Sequence, residues 1–339
     1  MKASSIFYAI STLSVHVIMK FAHGFSVGSQ SKVWRNTISH SNVRSFALFM
    51  SSDTSFGGSD LSKYLLLASK TNEKVKLLKA LQLKKTRDNE GLLLLEGHRQ
   101  IIDAINSGYF PSTLLLSEEA ISAPLGRTLL DSLKKCAPST VFRAPSDLIQ
   151  SISDTVSCQG VVASFAKPKL YSQLPQTTSP LIVLMDRPND PGNLGTIIRT
   201  AYGMGVDAVI IVDGCDPWSP KVLRSAMGMC LKLPLIEASW KDGSIPELLL
   251  SGRTGLKPYQ ILLADADPSG QVYHKVDMTG PTIIVVGSEA SGIGAEARTL
   301  KDKKYIRIPT SADRQDLESF NAAVACSILV AEAARQRMI

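Results

Sequence analysis

The stretch "VVGSEASGIG", Val285–Gly294, decides how this chain is to be read. It carries the apolar run "TIIVV", Thr282–Val286, into a turn dotted with glycines, the way a β-strand enters a ligand-holding loop. Nucleotide loops often begin like this. A nucleoside-triphosphate loop, however, needs a lysine for the terminal phosphates six positions after its first glycine, and Ile293 stands there after Gly287. The spacing alone therefore argues for no particular nucleotide.

Other apolar runs extend the pattern. "LIVLM", "AVIIV" and "QILLA" recur with helical stretches between them, and continuous apolar strands alternating with helices predict an α/β fold whose parallel sheet has helices on both faces. Four segments follow. Residues 1–52 read as a targeting leader, 63–166 as a smaller α/β domain, and 167–180, "KPKLYSQLPQTTSP", as a linker rich in proline and threonine. Residues 181–339 hold the main sheet, and "DTSFGGSDLS", 53–62, is a polar lead-in.

The chain has 339 residues, 44% hydrophobic and 20% charged, which marks a globular protein of two ordinary domains. Its formal charge of +7 is misleading, because Lys2, Lys20, Lys32, Arg35 and Arg44 lie in the leader, which has no acid. An apolar stretch broken by His16 and serines, followed by a basic, serine-rich one, suits a plastid reached through the secretory route, with a mitochondrial presequence as the alternative. Once the leader is removed, no run reaches the ~20 apolar residues that a membrane helix needs.

Five cysteines without Cys-x-x-Cys spacing read as reduced core residues. Beyond the leader only His98 and His274 remain, which argues against a metal centre or a histidine triad. The local basic signal lies between Lys63 and Asp88, where Lys63, Lys70, Lys74, Lys76, Lys79, Lys84, Lys85 and Arg87 face Glu73 and Asp88. Val75, Leu77, Leu78 and Leu81 give that helix an inner face, so the lysines are expected to point outward. Phosphate contact becomes the better reading only if the second domain acts on nucleic acid.

"GMGVDA", Gly203–Ala208, matches a dinucleotide pattern but follows a helix and precedes a strand, the reverse of the order that aims a helix end at a pyrophosphate; a helix stop explains it better. Three other segments agree with each other. "NDPGNLGTIIRTAYGMG" places Asn193, Gly195 and Arg199 after the first strand, with Asn193 expected as the helix cap. "VVGSEASGIG" presents Glu289. "IRIPTSADRQDLESFNAAVACSILVAEAARQ" gives a strand, a loop, and then Ser319 and Asn321 at the head of the final helix. Polar groups recurring at strand ends point to a site, since ligands in parallel sheets sit at the carboxyl ends of the strands.

These motifs resemble the SpoU (TrmH) ribose 2′-O-methyltransferases of the SPOUT class. Asn193, Gly195 and Arg199 stand in the family's Asn-x-Gly-x-x-x-Arg; Gly287, Glu289 and Gly292 in its Gly-x-Glu-x-x-Gly; Ile308, Pro309, Ser319 and Asn321 in its Ile-Pro and Ser-Leu-Asn. "LEGHRQIIDAINSG", Leu95–Gly108, looks like its amino-terminal RNA-binding domain, so the resemblance covers nearly the whole chain after the leader. Two departures are Phe320 in place of leucine and an Ile308–Asn321 loop about three residues longer than common forms.

The resemblance implies a C-terminal deep trefoil knot that holds S-adenosylmethionine, a ligand without a phosphate chain, and so explains Ile293. It implies cofactor binding by Gly287, Ile308, Phe320, Ser319 and Asn321, with Ile308 and Phe320 flanking the adenine. It also implies catalysis by Asn193, Arg199, Glu289, Ser319 and Asn321, with no metal. By the same resemblance Arg199 removes a proton or grips a phosphate, and a guanidinium suits the second role better. Asn193 and Glu289 would orient it. The expected reaction methylates a ribose 2′-hydroxyl, preferably of a guanosine in organellar ribosomal RNA, with transfer RNA as the second choice. A homodimer is expected. The rival reading is an RNA-binding assembly factor without turnover.

Overall fold

The computed structural model describes residues 61–243, 245, 248–249, 258–267, 269–311 and 319–338. The targeting leader expected over 1–52 lies outside the described residues. The first part of the chain runs β1 (Leu65–Leu66), α1 (Glu73–Ala80), α2 (Lys84–Glu90), β2 (Leu92–Glu96), α3 (His98–Asn106) and β3 (Pro111–Leu116). It continues through α4 (Glu118–Ser122), α5 (Gly126–Leu133), β4 (Val141–Arg143), α6 (Ser146–Gln150) and β5 (Val161–Ala166). These strands form one mixed sheet in the order β1-β4-β3-β5-β2, with β5 antiparallel to both β3 and β2.

The second part runs β6 (Leu181–Asp186), α7 (Pro191–Gly203), β7 (Ala208–Val212), α8 (Pro220–Ser225) and β8 (Leu235–Ala238). β9 (Gln260–Ala264), β10 (Gln271–Val272), β11 (Thr282–Val286), β12 (Lys303–Arg307) and α9 (Ala322–Arg337) follow. All seven strands of this sheet are parallel, in the order β10-β12-β9-β11-β6-β7-β8. Side chains alternate across a strand, and here both faces are apolar. Val183, Val209 and Ile284 enter one core, whereas Leu184, Ile210 and Ile283 enter the other. The strands can thus read as unbroken apolar runs, and the α/β expectation holds.

The first of those cores also holds Leu93, Leu114 and Val161 of the mixed sheet, so one apolar cluster passes from one sheet to the other. The segment expected as a linker is irregular, yet it is packed: Leu174 is buried and the Tyr171 N–H bonds the Leu235 carbonyl at 2.9 Å. No helix among the described residues is long and apolar enough to cross a membrane.

Polar contacts join the same parts. Arg87, counted with the lysines in the basic segment, is buried, and Nη2 binds Asp216 Oδ2 at 2.5 Å while Nη1 donates to the Leu81 and Gln82 carbonyls. The physical reason is a partner 129 residues away that neutralises the guanidinium, which no local pattern announces. Glu96, also buried, accepts from Gln82, Ser153 and Arg224, and Arg224 also pairs with Asp154 at 2.6 Å. The rest of the basic segment behaves as expected: Val75, Leu78 and Leu81 are buried and Lys70, Lys79 and Lys85 are exposed.

α7 ends at Gly203 with the Val206 N–H on the Ala201 carbonyl and Gly205 at φ 73°, the glycine stop read from "GMGVDA". The five cysteines are free thiols; burial pushes Cys230 and Cys326 up to about 12, and Cys136 and Cys215 up to about 11. At neutral pH they remain protonated and poor nucleophiles.

Two outcomes follow from this architecture. Asp216→Ala strands the buried Arg87 charge and is expected to cost about 3–5 kcal/mol in urea unfolding, whereas Arg87→Met combined with Asp216→Leu recovers most of it. On α9, Arg335 and then Gln336 hold the Glu332 carboxyl down at about 2, from an ordinary 4.5. The stability Glu332 contributes is therefore present above its ordinary value and lost as pH falls from 4.5 through about 2, and Glu332→Gln should flatten that acid limb in melting experiments.

Candidate active site

Because the second sheet is parallel, the segments after β6, β11 and β12 leave it at one edge, and each carries one of the sequence motifs. After β6, Asp190 caps α7, its carboxylate accepting the Asn193 N–H at 2.8 Å, with Pro191 in the first turn. This corrects the expectation that Asn193 is the cap. Asp before Pro is the stronger start signal, because proline gives up an N–H that the helix end leaves unpaired anyway. Asn193 is instead inside the first turn, with its side chain available for the site.

After β11 the loop folds on itself. Ser288 and Gly292 exchange both backbone hydrogen bonds at 3.0 Å, and the Ser288 and Ser291 hydroxyls meet at 2.7 Å. A Cβ on Gly287 would lie 2.1 Å from the Gly292 carbonyl carbon and 2.3 Å from the Ile293 nitrogen. The glycine is required by the loop's own closure. Ile293 is buried in the second core, so a lysine there would have to bury its charge.

The three motifs meet in a short chain of amides. Asn193 Nδ2 donates to Glu289 Oε1 at 2.6 Å, and Asn321 Nδ2 donates to Asn193 Oδ1 at 3.3 Å. Asn321 also caps α9, its Oδ1 accepting the Ala323 and Val324 N–H groups at 2.9 and 3.3 Å. One side chain thus fixes a helix start and reaches the site at once. Gly195 lies against α8, where a Cβ would stand 2.4 Å from Ser225 Cβ, so this motif glycine serves helix packing.

Arg199 is not bonded to Asn193 or Glu289. Six helical residues place it roughly 9 Å beyond Asn193 along α7 and about a third of a turn round. It is exposed and makes no hydrogen bond or ion pair among the described residues. Ser319 is exposed, Phe320 half-buried, and Ile308 half-buried against the first core. The fold therefore joins Asn193, Glu289 and Asn321 directly and leaves Arg199 free. A cavity of about 710 Å³ in the mixed-sheet part, lined by His98, Leu125 and Gln150, carries Glu119 and Asp147, carboxylates that repel phosphate.

Two side chains at this edge have no signal in the sequence. Asp186, at the end of β6, is fully buried and accepts the Gly294 N–H at 2.7 Å and the Trp240 indole N–H at 2.8 Å. Their partners lie 108 and 54 residues away, beyond the reach of any local pattern.

Comparison with known proteins gives this edge a context. Residues 180–331 match the SpoU rRNA Methylase family, and residues 72–163 match the MRM3-like substrate binding domain. The chain is 32% identical over 312 residues to a protein of Xenopus tropicalis named rRNA methyltransferase 3, mitochondrial, covering 75% of this chain and 72% of that one. It is 30% identical over 266 residues to the 23S rRNA (guanosine(2553)-2'-O)-methyltransferase of Bacillus subtilis, covering 78% and 97%. Among solved structures it resembles the SpoU methyltransferase AviRb from Streptomyces viridochromogenes in complex with AdoMet, with a TM-score of 0.67, 28% identity, and coverage of 79% and 98%.

Loop closure can be tested apart from any ligand. Gly287→Ala should lower the unfolding free energy by about 1–3 kcal/mol, since backbone atoms have to give way. Gly203→Ala, with nothing within 4 Å of its added Cβ, is the control and should be neutral or stabilising by up to ~1 kcal/mol in the same thermal melts.

Proposed function

Because the chain belongs to the SpoU rRNA methylase family, we propose that it transfers a methyl group from S-adenosylmethionine to a ribose 2′-hydroxyl of ribosomal RNA. The observation that carries this reading is the contact of Asn193, Glu289 and Asn321, which ties three loops together at the carboxyl edge of a parallel sheet. The residues present suit that donor. The glycine loop offers no cation for a phosphate chain, its wall is closed backbone, and half-buried Ile308 and Phe320 supply apolar surface for an adenine.

When bound, the donor supplies an electrophilic methyl group on a sulfonium. The chain's part is alignment and proton management. The hydroxyl has to lie in line, near ~3 Å from the methyl carbon, and shed its proton as the C–O bond forms. Of Asn193, Arg199, Glu289, Ser319 and Asn321, only Glu289 brings a carboxylate that can accept the proton of the hydroxyl. The Asn193 amide fixes its orientation. The Arg199 guanidinium, which has no partner among the described residues, is available to grip the neighbouring phosphate.

Residues 63–166 are assigned to RNA binding, with exposed Lys70, Lys79 and Lys85 as phosphate contacts in place of the buried Arg87. Residues 181–339 are assigned to catalysis. The trefoil knot and a homodimer belong to the same reading and rest on the resemblance. Guanosine is the proposed nucleoside, on the strength of the Bacillus relative. An organelle is the proposed address, supported by the acid-free leader and by the mitochondrial name of the Xenopus relative, which lends the plastid no support.

Incubating the full chain with labelled S-adenosylmethionine and organellar ribosomal RNA tests the reaction, and light scattering on the same preparation reads the dimer. The expected product is 2′-O-methylated RNA, with kcat/KM falling about 10²-fold or more in Glu289→Gln, the loss typical of a removed general base. Arg199→Ala should fall through RNA engagement while donor binding stays. A wild-type chain that binds donor and RNA but transfers no methyl replaces this reading with the assembly factor.

A further inference from the structure

The glycine loop is held at both ends. Its front is the Ser288–Gly292 bridge; its back is Asp186, whose Oδ2 accepts the Gly294 N–H and whose Oδ1 accepts the Trp240 indole N–H. Arg187 Nη1 stands 3.4 Å from the same Oδ1. A buried carboxylate is tolerated only where its oxygens are paired, and these partners come from loops beyond the strands.

The neighbours reinforce the arrangement. Arg187 takes a left-handed φ of 56° and turns its Nη2 to Glu296 Oε2 at 2.7 Å, two residues past Gly294. A Cβ on Gly294 would fall 1.9 Å from Arg187 Nη1, so a side chain there would push the guanidinium from its place. Asp213, at φ 46°, accepts the Ser239 hydroxyl at 2.6 Å and the Trp240 N–H at 3.0 Å, which fixes the indole from its backbone side. The ends of β6, β7 and β8 are thereby stitched to the back of the loop whose front presents Glu289.

We infer that Asp186 and Trp240 are positioning residues that set the methyl-donor loop, so that donor affinity depends on the pair more than RNA affinity does. This rests on reading the glycine loop as a wall of the donor site. A loop released at Gly294 has to be ordered by the donor itself, and that ordering is charged against donor binding. RNA held by the first part of the chain does not depend on it.

The test titrates S-adenosylmethionine into the wild-type full chain, Asp186→Asn and Trp240→Phe by calorimetry, then measures KM for donor and RNA separately. One hydrogen bond to a buried charge predicts a donor Kd raised about ten- to a hundredfold in Asp186→Asn. Trp240→Phe, which keeps the ring and removes the N–H, should shift in the same direction by less. RNA KM should stay in place and kcat at saturating donor should fall less than donor affinity. Donor Kd unchanged in Trp240→Phe and in any folded Asp186→Asn overturns the inference, as does an RNA KM rising in step with the donor KM. If Asp186→Asn does not fold, Trp240→Phe decides alone. A wild-type chain that binds no donor sinks the underlying reading instead, and the two failures are thereby told apart.

Discussion

A single hydrogen bond, from the Asn193 amide to the Glu289 carboxylate, is the contact on which the site depends. It joins the first turn of α7 to the loop after β11, segments 96 residues apart in sequence. Two constraints make it possible. The parallel sheet sends both segments out of the same edge, and each segment is already fixed by its own local bonds, α7 by the Asp190 cap and the glycine loop by its Ser288–Gly292 bridge. The bond therefore connects two stiff parts, which is what preorganisation means in a site whose chemistry is alignment. Asn321 extends the chain to a third part through its amide Nδ2, while its Oδ1 caps α9.

The charges outside the site divide by depth. Exposed lysines of α1 and the α2 start belong to the solvent and to whatever phosphate comes near, whereas Arg87 and Glu96 are buried where the two sheets meet. There they serve geometry. Arg224, beside the Ser225 that Gly195 packs against, contacts Glu96 and Asp154, so the first part of the chain abuts the helix that carries Asn193 and Arg199 through one layer of side chains. An apolar cluster shared by both sheets adds to that contact.

The central strands were legible because burial on both faces leaves them almost wholly apolar, and the glycine stop at Gly203–Gly205 was legible because it is local. The motif residues at the strand ends could be found for the same reason, each lying next to an apolar run. The misread cap was a local error: Asp190-Pro191 outranks Asn193 once the missing N–H of proline is counted. Arg87 was hidden differently. A count of basic residues sets it beside the lysines, and only a distant Asp216 sets it apart. Asp186 and Trp240 share that blindness, since each looks ordinary until the loops that bring Gly294 to them are in place.

Arg199 separates the site into what the fold has completed and what it has left open. Asn193, Glu289 and Asn321 spend their polar atoms on one another and on helix ends, so little reorganisation remains for them during a reaction. A guanidinium left exposed and without a partner among the described residues is under no such constraint, and its five donors match a phosphate far better than water does. Arg187, Arg224, Arg298 and Arg335 are paired, whereas Arg199 has no partner among the described residues. Under the proposed function, that division gives the amides and the carboxylate to alignment and proton uptake, and Arg199 to the RNA backbone.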